Sequence, residues 1–563
     1  MVNDKINIKI PPLNIKKKDS LDNFFNSIKQ LIDSQNYTKA LKVLNANFEN
    51  LSKIAVFWEF KGIIHHNLGK YSEAVEYYEK AINLDSSLVN SNLNLAGIFY
   101  SKKNYNKSSV YFKSALLLRP ENKTIWQQFA KSLLLLGSFD FAKLAAEKAC
   151  SLEPLNDWES YSILGSAFVS LSEYDKAEDI LLKSTKLNPT AFDPLITLGK
   201  LYAYKGDFIN SEKFFRQVIQ MDSFNAEAFS NLVKINKLNS NEKLVTDMIK
   251  LFNNKKLDNN SLSLIGFGLA KIFNSEKKYS ISSDFLLQAN DLFYNSIDKS
   301  LLDDYLILSN NITKIFSKKV ININTLERNE TFKPIFIVGL PRSGTTLVTQ
   351  ILSSHKNVSS CGELTVIPKI ASTIKDSNMI SETFLSKSIK KYIDATAIHN
   401  PNNTKFTVDK MPGNYFYIGL IKNMFKNSKI IHIKRKPLDN ILSIFQQNFP
   451  VGHFYSYSLD DIYSVYNDYI KNITFWDKIY PNEIFHLSYE DLIRDRNFYI
   501  NKLLQYCDLS IDDNCYDFHT NASPVHTSSF YESRQELYSS SVDKAVNYMN
   551  ILQDISDKLK NNS

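Results

Sequence analysis

At 563 residues the chain is too long to fold around a single hydrophobic core, so several domains or a repeat array are expected. A hydrophobic fraction of 44% and a charged fraction of 22% fit a folded globular protein and exclude a disordered chain. The net charge of +8 is a mild excess over this length, which suits an anionic small molecule and gives no footprint of nucleic-acid binding.

Residues 1–20 are a polar, basic segment without an apolar stretch, so no signal peptide is expected. A period then sets in. Gly-X-Tyr/Phe followed by Ala recurs, as in LGKYSEAVEYYEKAINLD and LGSFDFAKLAAEKACSLEP. Ala74, Ser108 and Ala142 stand 34 residues apart, as do Ala81, Ala115 and Ala149; Pro120 and Pro154 repeat the interval, and Pro189 follows at 35. This spacing resembles the tetratricopeptide (TPR) repeat. Each such unit is two antiparallel helices. Small residues sit where the helices approach, large ones such as Tyr71 and Tyr77 fill the space between units, and Pro ends the second helix. The spacing places units at 21–54, 55–88, 89–122, 123–156, 158–191 and 192–225. A degenerate unit at 263–296 uses Ala270, Tyr279, Ser282 and Ala289. Between 226 and 262 the chain still reads helical while the period fades. The array, 21–296 in all, is expected to hold a peptide or partner protein on its concave surface.

Residues 297–330 read as a helical linker, and at 331–563 the character changes. Ile335 to Val338 suit a buried strand, a Gly/Pro/Ser loop follows, and TTLVTQILSSH has helical apolar spacing. A strand, glycine loop and helix in this order present backbone N–H groups and a helix N-terminus to an anion. Gly339 and Gly344 have P-loop spacing, yet Thr345 and Thr346 stand where a nucleotide P-loop has Lys then Ser/Thr, which argues against an ATPase or kinase. Arg342 supplies positive charge inside the loop instead. Lys410 follows a strand-like run in FTVDKMPGN. SKIIHIKRKPLDNILSIFQ gives a strand ending in Lys434, Arg435 and Lys436, then a helix carrying Ser443. EIFHLSYEDLIRD gives another strand, then Tyr489 and a helix. Alternating strands and helices predict a three-layer α/β domain with a mostly parallel sheet and its ligand edge at these strand ends. Histidines 432, 486 and 526 show no ligand spacing and read as structural. The four cysteines, Cys150, Cys361, Cys507 and Cys515, form no CxxC pair or Cys/His cluster. Neither a zinc site nor a disulfide framework is expected, and a cytoplasmic chain without a membrane span is.

On these motifs, residues 331–550 resemble 3′-phosphoadenosine 5′-phosphosulfate (PAPS)-dependent sulfotransferases, above all the tyrosylprotein branch and TPR-fused bacterial forms. The resemblance implies that PRSGTTL is the 5′-phosphosulfate loop, with Arg342, Ser343, Gly344, Thr345, Thr346 and Leu347 contacting the donor. It places the general base at Glu363 in CGELTVIP, 21 residues after Arg342. It gives the 3′-phosphate to Arg435 and Ser443, eight apart, and the bridging lysine to Lys410. Tyr489 falls on the adenosine site, and Ser529 and Lys544 on a C-terminal segment that closes over the donor. Gln447 stands where the tyrosylprotein enzymes place an arginine, and no cysteine near Lys410 is available to pair with Cys361.

The fold expected is therefore an all-helical TPR solenoid followed by a P-loop-like α/β sulfotransferase domain. The chemistry expected is metal-free transfer of a sulfuryl group to an acceptor hydroxyl, of a peptide tyrosine or a carbohydrate, with the repeats recruiting acceptor or partner. A homodimer is left open. Singly, Ser443 reads as a helix residue bonded to its own backbone, Tyr489 as core and Lys544 as a solvated lysine; as an ordered set they read as a donor site. A TPR scaffold with an inactive transferase domain and a P-loop kinase are the competing readings.

Overall fold

In the computed structural model, helices run from Lys18 to Ser317, and a five-stranded sheet with flanking helices follows. The structure describes residues 18–153, 156–235, 238–317, 332–397, 400, 404–449, 452–518 and 542–561. Two compact units divide at Ala167 and Phe168.

The first unit is built of helix pairs, among them Ala55–Asn67 with Tyr71–Leu84, Val89–Ser101 with Tyr105–Leu118, and Lys123–Leu136 with Phe139–Leu152. The 34-residue spacing is the packing code. Ala74, Ser108 and Ala142, and likewise Ala81, Ala115 and Ala149, are wholly buried. Where serine replaces alanine its hydroxyl is bonded: Ser108 donates to the Ala96 carbonyl at 2.9 Å. One expectation is corrected. Tyr71 opens its helix exposed, and Tyr78 is the buried ring. Tyr78, inside the helix, packs on Gly62, where a Cβ would stand 2.6 Å from the ring. Tyr77 stacks on Trp58. Pro120 and Pro189 follow the helix ends at Leu118 and Leu187, as expected; Pro154 lies outside the described residues.

The second unit holds further helix pairs, Phe192–Lys205 with Phe208–Met221 and Asn259–Ser275 with Tyr279–Tyr294, together with the sheet. The strands are β1 (Lys333–Gly339), β2 (Val358–Ser360), β3 (Phe406–Asp409), β4 (Lys429–Lys434) and β5 (Ile484–Ser488). Their order is β2-β3-β1-β4-β5, and every pair is parallel. Both faces are covered, which is why the strands read as apolar runs. Ile335 and Ile337 pack with Val348 and Ile351 of the helix Thr345–Ser353 on one face. Phe336 and Val338 face a core shared with Trp476, with Phe267 and Leu286 of the last repeat-like pair, and with Tyr548 and Leu552 near the C-terminus. The Tyr548 hydroxyl bonds the Ser282 hydroxyl at 2.9 Å and donates to Asn274 Oδ1 at 2.8 Å. Among the described residues no helix is long and apolar enough to cross a membrane.

The close approach at Gly62 sets a test. Gly62→Ala improves helix propensity by up to about 1 kcal/mol but forces a methyl into the Tyr78 ring, at a cost of about 1–3 kcal/mol. Amide hydrogen exchange in Ala55–Asn67 and Tyr71–Leu84 is expected to accelerate; unchanged or slower exchange would show that the ring moves aside freely.

Candidate functional site

The loop after β1 is held in shape from several sides. Gly344 has φ 107° and packs under Tyr489, so a Cβ there would lie 2.6 Å from the ring; both the dihedral and the space call for glycine. Arg342 also takes a left-handed conformation, φ 64°, which costs a non-glycine residue about 1–3 kcal/mol. Two hydrogen bonds from the β4 side hold the chain there: Arg435 Nη1 donates to the Arg342 carbonyl at 3.0 Å, and Asn440 Nδ2 to the Pro341 carbonyl at 2.9 Å. Ser343 is buried, its hydroxyl donating to the Leu340 carbonyl at 2.8 Å, so the side chain shapes the loop. The first intrahelical bond runs from the Val348 N–H to the Gly344 carbonyl. The N–H groups of Gly344, Thr345, Thr346 and Leu347 precede it and have no intrahelical acceptor, which is the arrangement an anion needs.

Arg435 and Ser443 meet the loop because β4 is the neighbour of β1, and the helix Pro437–Phe445 begins where β4 ends. Arg342 Nε donates to Ser443 Oγ at 3.2 Å. Ser443 therefore engages a residue 101 positions away, beyond any bond to its own backbone. The Arg435 guanidinium lies 5.0 Å from the Tyr489 ring centre. Burial lowers the pKa of this guanidinium, and Tyr489 and Asp439 oppose the shift. Lys544 reaches the same helix, donating to Gln446 Oε1 at 3.0 Å.

Sequence reasoning missed what brings Lys544 there. Asp439 is buried in the first turn of the helix and accepts from the Asp543 and Ala545 backbone N–H groups, each at 2.8 Å. Lys436 pairs with the Asp543 carboxylate. The available signal was a carboxylate in the first turn of a helix after a strand, three residues before which the chain is already basic.

Glu363 and Lys410 form an ion pair across the other half of the sheet. Backbone pairing causes it. Beyond β2 the Cys361 N–H donates to the Val408 carbonyl at 2.8 Å, and the Lys410 N–H to the Gly362 carbonyl at 2.9 Å, so the ladder delivers Glu363 to Lys410. The Lys410 side chain is 4% exposed and that of Glu363 43%. Beside them Asp409 is wholly buried and accepts from the Tyr392 hydroxyl at 3.0 Å. Burial pushes its carboxyl up to about 7, so it is protonated below that pH.

A cavity of about 420 Å³ runs beside Ser343 and Arg435, between β4, β5 and the helix Leu459–Ile479. His432 and His486 face each other there, Nδ1 to Nδ1 at 2.7 Å; His486 Nε2 donates to Asp477 Oδ1 at 3.0 Å, and Tyr469 bonds His432 Nε2. One proton per link satisfies the chain with both imidazoles neutral. Burial pushes His432 down to about 3, and the His486 imidazole adds to the shift. Ser529 and His526 lie outside the described residues.

With this geometry in hand, residues 334–513 match the sulfotransferase family, and residues 55–88, 159–190 and 193–225 match the tetratricopeptide repeat. An uncharacterized protein of Aquifex aeolicus (strain VF5) is 28% identical over 441 residues, covering 75% of this chain and 57% of its own. A putative protein-tyrosine sulfotransferase of Caenorhabditis briggsae is 24% identical over 183 residues, covering 31% of this chain and 65% of its own. The chain thus spans less than two thirds of the length of either relative. Among solved structures, YrrB, a TPR protein with an unusual peptide-binding site, shares 20% identity at a TM-score of 0.29, over 33% of this chain and 95% of its own.

The Asp439 contact gives a direct prediction. In Asp439→Asn one of the two backbone N–H groups faces an amide NH₂ in place of an acceptor, a loss of about 1.5–3 kcal/mol. Hydrogen exchange at Asp543–Tyr548 should accelerate while β1 and β4 stay protected; an unchanged rate would mean that apolar packing alone holds the segment.

Proposed function

We propose that this chain, which joins a sulfotransferase-family domain to tetratricopeptide repeats, transfers a sulfuryl group from PAPS to an acceptor hydroxyl. One observation supports the reading: the glycine loop after β1 and the basic turn after β4 interlock at one sheet edge. Arg342 of the loop bonds Ser443, and Arg435 bonds the Arg342 carbonyl. A donor with phosphate on both its 5′ and 3′ positions needs such a pair of sites held at fixed separation.

In this reading the loop amides of residues 343–347 hold the 5′-phosphate, Arg435, Ser443 and Lys544 hold the 3′-phosphate, and Tyr489 lines the adenosine. The acceptor oxygen attacks sulfur in line. The new S–O bond forms as the S–O bond to the phosphate breaks, Arg342 and Lys410 offset charge on the leaving oxygen, and Glu363 takes the acceptor proton. Ser529 donates a further hydrogen bond to the transferring group. Adenosine 3′,5′-bisphosphate leaves. The reaction requires Lys410 and Glu363 to part, each turning to its own reactant. The acceptor is a peptide tyrosine or a carbohydrate hydroxyl, and the repeats recruit it or a partner protein that carries it.

Isothermal titration with adenosine 3′,5′-bisphosphate tests the donor site. Arg435→Ala is expected to weaken binding by about 1.5–3 kcal/mol, roughly ten- to a hundredfold in Kd. Folded wild-type protein that ignores the bisphosphate but binds ATP with magnesium would replace the sulfotransferase reading with a kinase-like one.

A further inference from the structure

We propose that three lysines on successive helix pairs of the second unit, Lys200, Lys234 and Lys271, form a docking row for an acidic, extended segment of a partner protein. The inference concerns the repeat helices alone and does not depend on the donor chemistry proposed above.

The first helices of three consecutive pairs are Phe192–Lys205, Ala226–Ile235 and Asn259–Ser275, and each carries one of these lysines. Lys200 and Lys234 stand 34 residues apart, so the repeat interval persists in the lysines where the small-residue pattern fades. Contacts link the three helices. Lys200 Nζ donates to Glu227 Oε1 at 2.6 Å, which joins the first helix to the second. Lys271 Nζ donates to the Lys234 carbonyl at 3.3 Å, which joins the third to the second.

A pairing rule holds up to this point and then stops. In the first unit Lys131 bonds Glu159, in the first turn of the next pair's first helix, at 2.7 Å. Lys200 bonds Glu227 in the corresponding first turn. Lys234 comes next in the series, and the helix that follows it in the same place, Asn259–Ser275, contains no acidic residue. Among the described residues Lys234 Nζ reaches the Asn231 side-chain oxygen at 3.4 Å and has no carboxylate within ion-pair distance. Desolvation among these helices, then the Lys200 and Lys271 charges, push its ammonium down to about 8, and Glu227 opposes the shift. An anion arriving from outside relieves crowding of this kind. Lys234 is half-buried and Lys271 exposed, so the row is open to one.

The chemistry selects the occupant. All three cations are lysines, compact point charges that match single carboxylates. Phosphate and sulfate polyanions are gripped best by the forked guanidinium of arginine, which the row lacks. Packed helices lie about 8–10 Å apart. A peptide in the polyproline II conformation brings every third side chain to one side at intervals of about 9 Å, so acidic residues at that spacing come opposite successive lysines.

The test is fluorescence anisotropy of the full chain with a labelled peptide of Glu-Pro-Pro repeats, compared with its Gln-Pro-Pro counterpart. The glutamate peptide is expected to bind and the glutamine peptide to fail. Lys234→Gln and Lys271→Gln should each weaken binding roughly three- to tenfold. Lys213→Gln, which removes an exposed lysine from the helix Phe208–Met221, should leave it unchanged. Glu227→Gln removes the carboxylate that competes for the row and should tighten binding by a similar factor, an outcome that loss of structure cannot produce. Equal affinity for the two peptides, or equal weakening by Lys213→Gln and Lys234→Gln, would overturn the docking row in favour of diffuse surface charge. Weaker binding by Glu227→Gln, with helix content intact by circular dichroism, would also overturn it. Tighter binding of a sulfated oligosaccharide that depends on Lys234 would remove the acidic peptide as the occupant.

Discussion

The parallel pairing of β1 with β4 is the constraint from which the site is built. It runs from Ile335 opposite Lys429 to Gly339 opposite Ile433. A parallel ladder fixes both strand ends on the same edge, so the loop leaving β1 and the basic turn leaving β4 emerge side by side. Arg435 then needs only its own length to reach the Arg342 carbonyl, and Arg342 to reach Ser443. The left-handed turn at Arg342 persists because groups on the β4 side hold it. On the other side of β1, the ladder through β3 and β2 brings Glu363 to Lys410 by the same logic. The two halves of the candidate site, one cationic and one a carboxylate–ammonium pair, are thus placed by strand order before any side chain chooses a rotamer.

Much of this was legible in the sequence, because it is carried by short-range pattern. Ala74, Ser108 and Ala142 announce the repeat through spacing alone, since the same contact recurs in each unit. Strand, loop and helix at 333–353 can be read because the three elements are contiguous and each has its own apolar period. The error at Tyr71 has the same origin. It lies in the repeated Gly-X-Tyr signature, but it is the first residue of its helix and stays exposed there, while Tyr78 within the helix is buried.

What escaped the sequence is long-range and polar. Asp409 meets Tyr392 across a helix and a loop, His432 meets His486 across two strands, and Asp439 meets backbone amides 104 and 106 residues away. No periodicity records such pairings, and each residue viewed alone is an unremarkable polar side chain. The histidines show the limit well. Taken as isolated residues they read as structural. In the fold they form a four-member chain with Tyr469 and Asp477 along a cavity that touches Ser343 and Arg435.

Tyr548 carries a consequence for how the chain comes to be folded at all. Its hydroxyl joins Ser282 and Asn274, and its ring fills the core shared by the sheet and the last repeat-like helices. The partners are separated by 266 and 274 residues, so this contact closes one of the longest loops in the chain. Synthesis proceeds from the N-terminus, and the first unit has all its residues before the sheet exists. The second unit differs. Its earliest helices keep part of their apolar surface uncovered until Tyr548 and its neighbours, 266 residues after Ser282, dock on them. Closure of that core therefore depends on a contact of very long sequence separation, which loop-closure entropy makes slow to form.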